Sequence, residues 1–183
     1  RPGAEGLEIA NLLSDRYVPS EQILSSLLDL ASNPHGNLAV LLTLKKFCHN
    51  ALEVGQLDTA TKNLLILRLQ EAAFFGDYND LNERNIAFDI IEMIDARNED
   101  TVAVASDYLF ERLDENPDDF DHEFKFKGPD IYKVAKFVAR NPVLKVELEQ
   151  KLEHLIRNPQ YPYQVKICMD ILDQINKKYE KND

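Results

Sequence analysis

Apolar side chains recur every three or four residues along almost the whole chain, and that spacing is the strongest constraint on its fold. Val102, Ala105, Leu109 and Leu113 form one such stripe, and Val165, Cys168, Leu172, Ile175 and Tyr179 form another. Steps of three and four place side chains on one face of an α-helix, whereas a half-buried strand would alternate every second residue. Only six glycines occur among 183 residues, too few for the tight turns of a sandwich or barrel. The longest apolar stretches, such as Leu38 to Leu42, fall far short of the ~20 residues that a membrane-spanning helix needs. With 44% apolar residues the chain can bury a substantial core, and the expected fold class is all-α.

Turn chemistry divides this pattern into nine expected helices. Leu7, Ile9, Leu12 and Leu13 suggest a short first helix closed before Pro19, so residues 1–19 read as an N-terminal capping segment. Ser20 then precedes the amphipathic run Ile23, Leu24, Leu27, Leu28 and Leu30. A third run covers about 37–54 and stops at Gly55. A fourth opens near Asp58 or Thr59, and Leu64 to Leu69 make it apolar on most sides, the pattern of the most buried helix. Ile86, Ile90, Ile91 and Ile94 mark a fifth from about Asn82, followed by the Val102 stripe. After a break from Asn116 to Pro129, helices are expected at about 130–140, 143–157 and 162–180.

Asn-Pro pairs at 33–34, 116–117, 141–142 and 158–159 punctuate these runs. Proline disfavours helical geometry in the residue before it, which ends the second run at Asn33-Pro34. Asparagine also tolerates the left-handed conformation that ends many helices, and proline just beyond it prevents continuation. Alternate helices start near 20, 59, 99 and 143, at intervals of 39, 40 and 44 residues. In these intervals, corners and stripes the chain resembles the HEAT/armadillo-like α-superhelix group over residues 20–180. That resemblance implies stacked antiparallel helix hairpins forming a right-handed α-superhelix of about nine helices, a single helical-repeat domain over 1–183. Such a fold presents an extended face for another protein rather than a closed pocket.

Motifs for chemistry are missing. His35, His49, His122 and His154 never pair at a metal-binding spacing, and Cys48 with His49 point about 100° apart on a helix. The acidic run from Asp114 fails the calcium-loop pattern, with Asp119 where glycine is required and Lys125 where glutamate is required. No phosphate-cradling glycine loop and no nucleophile elbow occur. The expectation is therefore no catalytic residue, no metal and no cofactor. Cys48 and Cys168 lie in apolar helical patterns and read as core residues, compatible with a reducing compartment such as the cytoplasm. The start at Arg1 rather than methionine reads as a processed chain or a fragment.

Charge supplies the functional expectation. The net charge is -11, and residues 98–130 alone hold 11 acidic against 3 basic side chains. That balance repels polyanions and argues against nucleic acid or an anionic membrane as partner. Residues 116–129 form an acidic and aromatic loop, in which Asp118, Asp119, Asp121 and Glu123 stand beside Phe120, Phe124 and Phe126. Carboxylates steer a basic segment and a phenylalanine anchors it, so these seven residues are the expected partner-binding set for a protein or basic peptide. The three rings could equally plug a seam between repeats. Two rival readings are a helical regulatory domain or small enzyme with an inter-helix pocket, and binding of anions by Lys133, Lys136, Arg140, Lys145 and Lys151. Self-association through an exposed apolar end face is a further expectation.

Overall fold

The computed structural model describes residue 29 and residues 38–75, 80–115 and 128–177. Every regular element among them is helical. Seven α-helices are present: α1 (Leu38–Glu53), α2 (Thr59–Gln70), α3 (Leu81–Ile94), α4 (Glu99–Asp114), α5 (Ile131–Val138), α6 (Pro142–Arg157) and α7 (Gln164–Asn176). A π-helical turn, Glu71–Phe75, continues α2. The all-α class is thus established, and the expected helices around residues 7–13 and 20–31 lie outside the described residues, Asp29 excepted.

Each helix end has a local cause. Asp58 caps α2 by accepting the Thr61 N–H at 2.7 Å, and that bond holds its carboxyl below the usual range. Asp80 does the same for α3 through the Glu83 N–H, and Asp130 for α5 through Tyr132 and Lys133. Gly55, with φ 68°, ends α1 in the left-handed region. The Gly55 and Gln56 N–H groups return to the carbonyls of Leu52 and Ala51, the paired bonds that satisfy a helix C-terminus.

Of the four Asn-Pro corners, those at 33–34 and 116–117 lie outside the described residues, and at the other two the asparagine is not left-handed. No non-glycine among the described residues has positive φ. Asn141 (φ -83°, ψ 117°) is instead the N-cap of the next helix, accepting the Val143 and Leu144 N–H groups, with Pro142 in the first helical turn. Asn158 (φ -130°, ψ 65°) closes α6, its N–H donating to the His154 carbonyl, and is likewise neither helical nor left-handed. The physical reason is the proline ring, which excludes helical geometry from the residue before it and favours extended backbone.

The described residues divide into two compact units. In the first, α3 packs on both α1 and α2. Leu41, Leu44, Phe47 and Cys48 of α1, Leu65 and Leu69 of α2, and Phe88, Ile90 and Ile91 of α3 are its buried side chains. Full burial of one such leucine or phenylalanine stabilises by about 1.5–3 kcal/mol. The π-turn has a packing reason: its wider step swings Phe74 inward, edge-on to Phe88 with centroids 5.8 Å apart. Buried Arg84 donates to the Ala73 carbonyl of that turn at 3.2 Å. One expectation is overturned here. α2 is not the most buried helix, for Leu64 and Leu67 are 52% and 57% exposed and only Leu65, Ile66, Leu69 and Gln70 of its 12 residues are buried.

In the second unit α4 packs on α5, α6 on α7, and α5 on α7. Its buried side chains include Leu109, Val134, Phe137, Val138, Leu148, Leu152, Cys168 and Ile171. Two polar links join its helices. The Tyr132 hydroxyl donates to the Asp170 carboxylate; burial and then the negative charges of Asp170 and Asp130 raise its pKa. Gln164 is 4% exposed and donates through Nε2 to the Leu113 carbonyl at 3.0 Å.

Candidate functional site

The most distinctive surface of the second unit is on α4. Asn98 opens the helix, its side-chain oxygen accepting both the N–H and the hydroxyl of Thr101 at 2.9 Å. Glu99 and Asp100 follow in the first turn, where carboxylates complement the helix dipole. Thr101, Ala105, Leu109 and Leu113 then face the core. The opposite face carries Asp100, Ala103, Asp107, Glu111 and Asp114, all exposed and spaced by three or four residues. Four of those five positions are acidic.

No basic side chain of α4 interrupts this stripe. Arg112 turns aside, its guanidinium 2.6 Å from the Glu115 carboxylate and 5.3 Å from the centroid of the Tyr108 ring. Asp114 meets a counter-charge, the Lys151 ammonium of α6 at 2.6 Å. Asp107 and Glu111 stand one turn apart with like charges, an arrangement that costs an isolated helix about 0.2–0.5 kcal/mol. The stripe ends where residue 116 begins, and both flanks of the loop are held. Gln164 fixes the end of α4, and Asp130 caps the start of α5.

The seven sequence-predicted residues, Asp118, Asp119, Phe120, Asp121, Glu123, Phe124 and Phe126, lie outside the described residues. The α4 stripe adds Asp100, Asp107, Glu111 and Asp114, which the sequence reading had counted as charge without seeing the shared face. The signal was available: the same three-and-four spacing that marks the apolar stripe also marks its acidic complement.

The remaining reactive groups are quiet. Among the described residues no three histidine, cysteine or acidic side chains gather to hold a metal ion. Cys48 is buried whereas His49 is exposed and pairs with Glu53 at 3.2 Å. Burial pushes the Cys48 thiol up to about 12, and the Cys168 thiol to about 11 despite the opposing charge of Lys151. Neither is a thiolate at neutral pH. Of the five cations behind the anion-binding reading, Lys145 is paired with Glu149 at 3.7 Å and Lys151 with Asp114. No described helix is long and apolar enough to cross a membrane.

No protein-family model matches the chain, and neither a curated protein nor a solved structure matches it.

Proposed function

We propose that this chain is a non-catalytic protein-interaction module, a scaffold or adaptor, that captures a protein or peptide bearing a basic segment. The acidic stripe of α4 carries the reading. Asp100, Asp107, Glu111 and Asp114 form an exposed face, and Asp118, Asp119, Asp121 and Glu123 follow it in the sequence. Carboxylates on a helix steer a basic partner over a distance set by the ionic strength, roughly 8–10 Å near physiological salt. Phe120, Phe124 and Phe126 follow as anchors for the apolar part of that partner.

The architecture in this reading is a right-handed α-superhelix of about four hairpins, like that of the HEAT/armadillo group. Pairing of α2 with α3, α4 with α5 and α6 with α7 supports it. So do the contacts of α1 with α3 and of α5 with α7. A stack of hairpins offers a long open face, which suits an extended partner better than a small molecule.

Affinity capture from a native lysate tests the reading with three baits: wild type, a D118S/D119S/D121S/F124S loop variant and a D107S/E111S stripe variant. A protein recovered by wild type and lost from both variants is the expected result. Equal recovery by all three would remove the acidic surface as the site. Recovery of nothing specific would sink the adaptor reading itself.

A further inference from the structure

The first unit carries an apolar surface of a different kind. Leu64, Leu67 and Phe75 are 52%, 57% and 65% exposed, although α2 is apolar on its other side too. With them stand Arg68 and Glu71. Counting 100° per residue along α2, and somewhat less through the π-turn, these five positions fall within an arc of roughly 110°. They make one stripe with Leu67 at one edge, and the order of the other four matters: Leu64, Arg68, Glu71, Phe75 reads apolar, positive, negative, apolar.

That order is self-complementary under a two-fold axis. If a second copy lies antiparallel across the stripe, with the axis midway between Arg68 and Glu71, each position k meets position 139 minus k, roughly one helical turn of tolerance aside. Leu64 then meets Phe75 of the second copy, and Phe75 meets its Leu64. Arg68 meets its Glu71, and Glu71 its Arg68. A parallel arrangement would set Arg68 on Arg68 and Glu71 on Glu71. Charges that flank an apolar seam fix helix orientation in this way in coiled coils. An interface of this kind is isologous and closes at two copies.

We propose that α2 and its π-turn form the dimer interface of this protein, an antiparallel contact with a second copy of the chain. Arg68 is already held beside the stripe by an ion pair with Asp29, at side-chain exposures of 36% and 66%. That pair sits in water and leaves the guanidinium free to take a second carboxylate, for its fork carries five N–H donors. Phe75 is directed outward by the same turn that buries Phe74. The contact spans about three helical turns, small against the ~1,200–2,000 Å² of stable interfaces, so the dimer is a weak one that forms with rising concentration. The interface lies in the first unit and is independent of the acidic stripe of α4.

Sedimentation velocity on the whole chain, from about 5 µM to about 500 µM, tests this, since weak contacts have dissociation constants in that range. Wild type is expected to pass from monomer to dimer. Arg68→Glu and Glu71→Arg each place two like-charge pairs across the axis and are expected to weaken association at least about tenfold. The double variant R68E/E71R restores both cross-copy pairs and is expected to return to within about threefold of wild type. Loss of the Asp29 pair is common to R68E and to the double variant, so recovery cannot come from Asp29. Circular dichroism checks that each variant folds. If a charge reversal does not fold, Leu64→Ser and Phe75→Ser replace it and are expected to weaken the dimer without altering charge. A chain that stays monomeric throughout overturns the proposal, as do single reversals without effect or a double variant no better than the singles.

Discussion

Gln164 does the work of three separate caps. Its Nε2 donates to the Leu113 carbonyl at the end of α4, and its Oε1 accepts the Gln160 and Tyr161 N–H groups at 2.7 and 3.2 Å. One buried amide therefore closes the turn between α6 and α7 and satisfies a helix-end acceptor 51 residues away. Gln164→Leu keeps the volume and removes both functions. The Leu113 carbonyl is then left buried without this donor, while the two N–H groups, nearer the surface, regain water. The expected cost is about 2–3 kcal/mol, the penalty for a buried acceptor plus a lost bond. Urea unfolding of Q164L against wild type measures it, and a difference within about 0.5 kcal/mol would show that water replaces the amide without loss. Nothing in the local sequence marks this residue, because its partners come from a helix that the turn chemistry of residues 158–164 does not mention.

At the scale of single helices, the caps carry the definition of where each element begins. Asn98 is the fullest example, since one oxygen takes both the N–H and the hydroxyl of Thr101, a side chain buried completely. Asn98→Ala should cost about 1–2 kcal/mol, the upper part of the range for N-caps, and Asn98→Asp should retain most of it. A lower urea midpoint with an unchanged slope is the expected signature; a changed slope would mean that α4 unravels rather than frays. Elements of this kind were legible. The run expected over about 37–54 is α1, Leu38–Glu53, and Gly55 stops it as a left-handed glycine should. The corners at Asn141 and Asn158 were placed correctly, and proline's restriction on the residue before it accounts for both, whereas the left-handed asparagine expected there occurs at neither. α2 was misread for a different reason. A helix apolar on most sides can be covered by its own chain or by a second one, and periodicity does not distinguish the two. The acidic face of α4 was within reach of the same counting that found its apolar face.

Over the whole molecule the charge of -11 is a standing load on the folded state, and α4 concentrates it. Five exposed acidic side chains, Glu99, Asp100, Asp107, Glu111 and Asp114, share that helix, with Lys151 opposite the last of them. A surface shaped for stability alone would alternate signs at this spacing. Asp107→Lys converts the Asp107–Glu111 repulsion into an i,i+4 attraction and reduces the net negative charge by two. Each effect favours folding, and together they should stabilise the chain by roughly 0.5–1 kcal/mol at low salt. Salt screens the repulsion, so raising sodium chloride should raise the melting temperature of wild type more than that of D107K. The same substitution should weaken capture of a basic partner. Stability and binding would then move in opposite directions from one side chain, which is how a surface kept for recognition differs from one that is merely solvated. If D107K melted lower than wild type, with the same response to salt, the carboxylates of α4 would be stabilising the helix, and the argument that they are held in place for a partner would fall with it.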